Sequence, residues 1–164
     1  MGLVEILNAF TTPRTAAAAA RLVFEYLAAT QAEAGLPEPA TLDDLHPLLR
    51  HECRNLAQVY RTPGTLLLAY HDGDPAGCVG VVPRALGTAE IKRLHVRRSG
   101  LEHALMDQAH RHAAHQYFTR VVVDVEPAHS AAIEFFRRLG YTDAEPYERS
   151  PMSMVHLQRP ITPA

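Results

Sequence analysis

Residues 89 to 106, AEIKRLHVRRSGLEHALM, concentrate the chain's chemistry. A strand-like run ends in Arg97-Arg98-Ser99-Gly100 and passes almost directly into an amphipathic helix starting near Leu101. That is the layout of a phosphate-binding strand-turn-helix. Unpaired N–H groups and the positive dipole end at a helix N-terminus can hold phosphates largely by backbone, and a guanidinium fork suits phosphate oxygens. The same residues would equally form a solvated basic turn.

The chain's ten histidines raise the question of a metal. His103, His110, His112 and His115 fall on one predicted helix, where His103 and His110 share a face and His112 lies well off it. No HExxH and no Cys/His ligand spacing occurs, so no metal is expected. Cys53 and Cys78 belong to no CxxC pair and read as reduced structural thiols.

Elements to position this chemistry are legible along the chain. Val4 to Leu7 reads as a short strand. Thr11 or Thr12 caps a helix over 13 to 34 that accepts Pro13 in its first turn and ends at Gly35. Residues 36 to 41 form a Pro-rich loop, and a second helix is predicted from Leu42 to Tyr60 with Thr41 as cap. Two apolar runs joined at Asp72-Gly73 signal a hairpin. Then come a strand over 89 to 96, a helix over 100 to 116, a buried strand VVVDV at 121 to 125, a helix from Ser130 to Leu139 capped by Gly140, and a strand near Met152 to Leu157. This order implies an α/β protein built on a mixed sheet.

With 164 residues, 47% of them hydrophobic, the chain suits one domain able to bury a full core, with no linker or internal repeat. A net charge of -2 and the lack of any long Lys/Arg run argue against nucleic acid. MGLVEILNAF has no basic region followed by a sustained apolar stretch, and Arg21 interrupts the alanine run 16 to 20. A cytoplasmic protein with no membrane partner is expected.

The order of elements, together with LLLAYHDGDPAGCVGV, AEIKRLHV, AAIEFFRRLGY and the closing EPYERSP and MSMVHL, resembles the GNAT acetyltransferase superfamily, in particular its small bacterial single-domain members. The resemblance covers nearly the whole chain. It implies a mostly antiparallel sheet splayed between its fourth and fifth strands, flanked by about four helices, with the pantetheine arm of acetyl-CoA in the opening. Leu94, His95 and Val96 would line that arm and the thioester, and Arg97, Arg98, Ser99, Gly100 and Leu101 the pyrophosphate. Glu90 matches the position of the general base in some members, although it could equally be a charge on a polar strand face. His95 stands where related members carry Tyr and is a candidate for proton transfer if it faces the cleft.

Departures from the family pattern are as specific as the matches. The family's phosphate loop is longer and places a small residue where this chain has Glu102. Phe136 replaces the usual tyrosine acid, leaving Tyr141 or Tyr147 as substitutes, and His129 replaces an Asn that contacts the cofactor. The implied activity is transfer of acetyl from acetyl-CoA to the amine of a small molecule or peptide by direct attack, without a metal. The alternative is a degenerate domain that binds a ligand or partner without catalysis; a longer acyl donor and a homodimer are further possibilities.

Overall fold

The computed structural model describes residues 2–146 and 153–164. Along the chain come β1 (Val4–Asn8), α1 (Pro13–Glu33), a 3-10 turn (Leu42–Asp44), α2 (Pro47–Arg54), α3 (Leu56–Val59), β2 (Thr65–His71), β3 (Asp74–Ala85) and β4 (Thr88–Val96). These are followed by α4 (Leu101–His115), β5 (Arg120–Val125), α5 (Ser130–Arg138), β6 (Thr142–Asp143) and β7 (Val155–Pro160). The strands form one sheet in the order β1-β2-β3-β4-β5-β7-β6. Only β4 and β5 run parallel among the paired strands. The α/β fold with a mostly antiparallel sheet is the expected one.

Local signals explain most element ends. Thr12 and Thr15 close a capping box at the start of α1, with Pro13 just inside it, where a missing N–H costs nothing. Asp72 and Gly73 both take positive φ, 51° and 84°, which matches the turn to the twist of the β2–β3 hairpin. The single helix expected over 42 to 60 is instead broken into three pieces. His46 is held extended by the proline that follows it, so a new helix starts at Pro47, and Asn55 leaves the helical region before α3. The last strand lies later than expected, at Val155–Pro160; Met152 falls outside the described residues.

The sheet separates two cores. One, under α4 and α5, gathers Val79, Val81, Ala89, Ile91, Leu105, Met106, Val121, Val123 and Leu157. The other, under α1 and α2, gathers Ala19, Leu22, Val23, Leu66, Leu68 and Tyr60. Strand alternation would send every second residue of β4 to each side, but a bulge breaks the rule. Between Gly80↔Lys92 and Cys78↔His95, β3 has one residue, Val79, while β4 has two, Arg93 and Leu94. Arg93 takes φ 60°, and Leu94 and Val96 pack on the α4 core. Glu90, Lys92, Arg93 and His95 therefore all belong to the face covered by α1 and α2.

Candidate functional site

β4 pairs with β5 only at Thr88↔Arg120, Ala89↔Val121 and Glu90↔Val122. Beyond Glu90 the two strands part, and Ile91 to Val96 keep only their β3 neighbours. The edge so released runs directly into the turn 97–100 and the N-terminus of α4. It leaves backbone groups of β4 for an extended ligand to pair with.

Glu90 sits where the strands part. It is 6% exposed, and Arg84 Nη2 lies 2.5 Å from its Oε2. Two residues further on is a buried ionic cluster that the sequence did not announce. Glu52 of α2 accepts Arg93 Nε at 2.9 Å and Nη2 at 2.8 Å, and Tyr60 donates its hydroxyl to the same carboxylate at 2.9 Å. Lys92 Nζ stands 3.7 Å from it. Burial works to raise the Glu52 pKa, but the hydrogen bonds and charges of Arg93 and Lys92 outweigh it and hold the carboxyl below its ordinary value. The positive φ of Arg93 costs about 1 kcal/mol, and its bidentate pairing with Glu52 offsets that cost.

His95 points to α1. Its Nε2 lies 3.2 Å from Glu25 Oε2, and its ring meets Tyr26 edge-on at 6.4 Å. Arg97 is drawn to the same carboxylate, donating from Nε at 3.0 Å and from Nη2, while its Nη1 reaches the Pro75 carbonyl at 3.0 Å. The Arg97 hydrogen bond is the main reason that the Glu25 carboxyl lies below its usual range. Arg98 Nη1 meets His71 Nδ1 at 3.0 Å. Both guanidinium groups expected at the phosphates are thus turned to β2, β3 and α1.

In the turn itself Ser99 and Gly100 are exposed, and Leu101 is buried at the head of α4. Gly100 donates its N–H to Glu102 Oε2 at 2.7 Å, so a carboxylate of this chain occupies a donor expected for phosphate. His129, beside the start of α5, pairs with Glu33 and ties the end of α1 to α5. Phe136 is buried in the α4–α5 core, edge-on to Tyr141 at 5.2 Å. Tyr141 lies in that core too, its hydroxyl 2.7 Å from His110 Nε2, and therefore away from the splay. Arg159 donates to His110 Nδ1 at 3.2 Å, so Nε2 carries the proton of a neutral imidazole. Tyr147 lies outside the described residues.

A second pair also escaped the sequence reading. Asp124, the polar position in VVVDV, meets His156 Nδ1 at 2.6 Å, and both lie on the Glu90 face across β5 and β7. A lone carboxylate in an apolar strand was the available signal. Glu25 and Glu52 gave less, since each looks like any helical carboxylate until its face is known.

Between α1 and α2 an open groove of about 440 Å³ is lined by Ala20, Phe24, Glu25, Leu42 and Cys53. Cys53 and Cys78 are free and buried; burial pushes Cys78 up to about 12, so it is no nucleophile at neutral pH. The four helix histidines diverge, with His112 reaching the Pro63 carbonyl and His103 stacking edge-on with Phe135. Among the described residues no three His, Cys, Asp or Glu side chains converge as a ligand set, and no helix is long and apolar enough to cross a membrane.

The sheet thus parts along β4 and leads that strand into the N-terminus of α4. The acetyltransferase (GNAT) family model matches residues 25–141, and the chain belongs to that family. No curated protein matches it in sequence. Similar solved structures include an acetyltransferase from Streptococcus agalactiae, at 16% identity, TM-score 0.75, and coverage of 96% of this chain and 98% of the other. A GNAT-family acetyltransferase from Staphylococcus aureus follows at 13% identity and TM-score 0.75, covering 98% and 100%. The PaiA N-acetyltransferase of Thermoplasma acidophilum, solved with coenzyme A, has 13% identity and TM-score 0.67, covering 96% and 99%.

Proposed function

We propose that this protein transfers an acetyl group from acetyl-CoA to an amine by direct attack, with Glu90 as the general base. The observation that carries the reading is the parting of β4 from β5 immediately after Glu90. When bound, acetyl-CoA supplies an acyl group activated as a thioester. The backbone of Leu94, His95 and Val96 would hold its extended arm, and one N–H there would face the oxygen on which negative charge develops. The turn from Arg97 through Leu101 would meet the phosphates, with Gly100 available once Glu102 lets go of its N–H. His129 would border the cofactor from α5.

Glu90 has the part of taking the proton from the incoming ammonium, since only the neutral amine is nucleophilic. His95, held by Glu25 on the same face, is the second proton-handling group. The CoA thiolate, with pKa near ~8.5, leaves without help from an acid at Phe136. Calorimetric titration with acetyl-CoA, followed by thiol release across a panel of amines, tests the reading. Binding and turnover are expected, with Glu90→Gln lowering kcat by about 10²-fold to 10⁴-fold. Absence of binding at millimolar acetyl-CoA would overturn it.

A further inference from the structure

We infer that Glu52 of α2 and Tyr60, at the end of α3, are positioning residues: through Arg93 they hold the bulge of β4 that turns the Leu94 N–H toward the developing oxyanion. This rests on the acetyl-transfer reading and assigns the device that sets one of its groups. Arg93 takes φ 60°, in the left-handed region that a residue with a Cβ avoids. Two other non-glycine residues with positive φ, Asp72 and Tyr117, lie in the β2–β3 turn and just after α4, where that conformation is ordinary. Arg93 lies inside a strand. A disfavoured backbone that the surrounding structure maintains there points to a role.

The bulge sets the direction of one peptide. Arg93 and Leu94 share the single β3 residue Val79, and the Arg93 carbonyl accepts the Cys78 thiol at 3.3 Å, within the α1–α2 core. Burial pushes Cys78 up to about 12, so its thiol keeps the proton that it donates. The peptide joining Arg93 to Leu94 is planar and trans, and its N–H therefore points opposite to that carbonyl. The Leu94 N–H is turned away from Cys78, at a height where β5 has already parted from β4. A fixed donor at that edge stabilises charge arriving on a thioester oxygen.

Three elements fix the Arg93 side chain. Glu52 accepts its Nε at 2.9 Å and its Nη2 at 2.8 Å, a fork that tolerates one orientation. Tyr60, 1% exposed, donates to the same carboxylate at 2.9 Å, and its ring fills the space that a Cβ at Gly80 would occupy. The guanidinium also lies over the Tyr26 ring of α1, 5.6 Å from its centroid. Compared with an apolar pair of the same size, a buried ion pair gains little stability. Its geometry is specific, and that is the property a positioning role uses.

Glycine separates the backbone from the side chain. In Glu52→Gln/Arg93→Ala and Glu52→Gln/Arg93→Gly the ion pair is absent and no guanidinium is left buried without its carboxylate, but only the second accepts φ 60° without strain. Thiol release is followed with the amine that wild type acetylates fastest, and acetyl-CoA affinity is measured by calorimetry. Both variants should lose kcat, with the glycine variant about fivefold to thirtyfold above the alanine one. Their Kd for acetyl-CoA should agree, because the donor acts more strongly in the transition state than in the ground state. Equal kcat in the two variants would mean that the cluster only ties α2 to the sheet, and overturns the inference. A difference confined to Kd overturns it as well. If either variant fails to fold, Tyr60→Phe decides, since it keeps the ring and both charges. A kcat lowered about twofold to tenfold at unchanged Kd supports the inference, and an unchanged kcat overturns it. Wild type that binds no acetyl-CoA, or acetylates no amine, would instead remove the acetyl-transfer reading, and this inference with it.

Discussion

Glu102 Oε2 accepts the backbone N–H of Gly100 at 2.7 Å, so the anion at the head of α4 comes from the helix itself. A carboxylate in the first turn is favourable to the helix dipole. It is unfavourable to any phosphate approaching the same donor. The turn has thus gained helix stability at the expense of an anion site.

Removing that carboxylate should expose the site. Glu102→Ala is expected to tighten acetyl-CoA binding by about threefold to tenfold at low ionic strength, measured by calorimetry. The gain should shrink as salt is raised, because the carboxylate is only half-buried and ions can still screen it. An unchanged Kd would mean that phosphates are held elsewhere.

Glu52 concerns stability. Glu52→Gln leaves Arg93 buried beside a neutral amide, and breaking one side of a buried pair costs about 3 kcal/mol or more, read from urea unfolding. In wild type the folded Glu52 pKa lies below its ordinary value of 4.5, so the pair's contribution is complete above about that pH and is lost as acid takes the folded group through its own pKa. The variant should lose that acid-dependent fraction.

His110 acts in a different pH window. Burial, with the charge of Arg159, lowers its pKa from 6.5 to about 4, whereas the unfolded imidazole protonates normally. The unfolded state therefore binds more protons between those values. Stability should be complete above about pH 6.5 and fall on the order of 2 to 3 kcal/mol by about pH 4. His110→Gln, which can still hydrogen-bond Tyr141, should flatten this slope in urea titrations.

Gly80 makes room for Tyr60. A Cβ at this position would lie 2.4 Å from Tyr60 Cε1, with the Lys92 carbonyl at 3.2 Å behind it. Gly80→Ala should therefore cost about 1 to 3 kcal/mol. It should also move the Tyr60 hydroxyl off Glu52, seen as a fall in the raised phenol pKa by ultraviolet titration.

Much of this molecule was legible in its residues. Thr12 and Pro13, Asp72 and Gly73, and the apolar run of VVVDV set element ends and types through interactions within a few residues. The helix over 42 to 60 was misread because Pro47 suits a first turn so well that it restarts a helix where an apolar period runs on. Motif order alone matched Glu90 to a general-base position on the fourth strand; that it stands at the fork of β4 and β5 follows only from the pairing of the two strands.

Side-chain pairing was not legible, and the reason is distance along the chain. Arg97 and Glu25 are 72 residues apart, and Arg93 and Glu52 are 41 apart. Apolar periodicity and turn chemistry act locally and assign a residue to a face, so the order of elements and the cofactor strand could be read from residue types. Which cation meets which carboxylate depends on the bulge at Arg93 and on how α1 and α2 settle over the sheet. Those are consequences of packing the whole chain at once, and they give Arg97 and Arg98 the partners Glu25 and His71, which nothing in the local run RRSG announces.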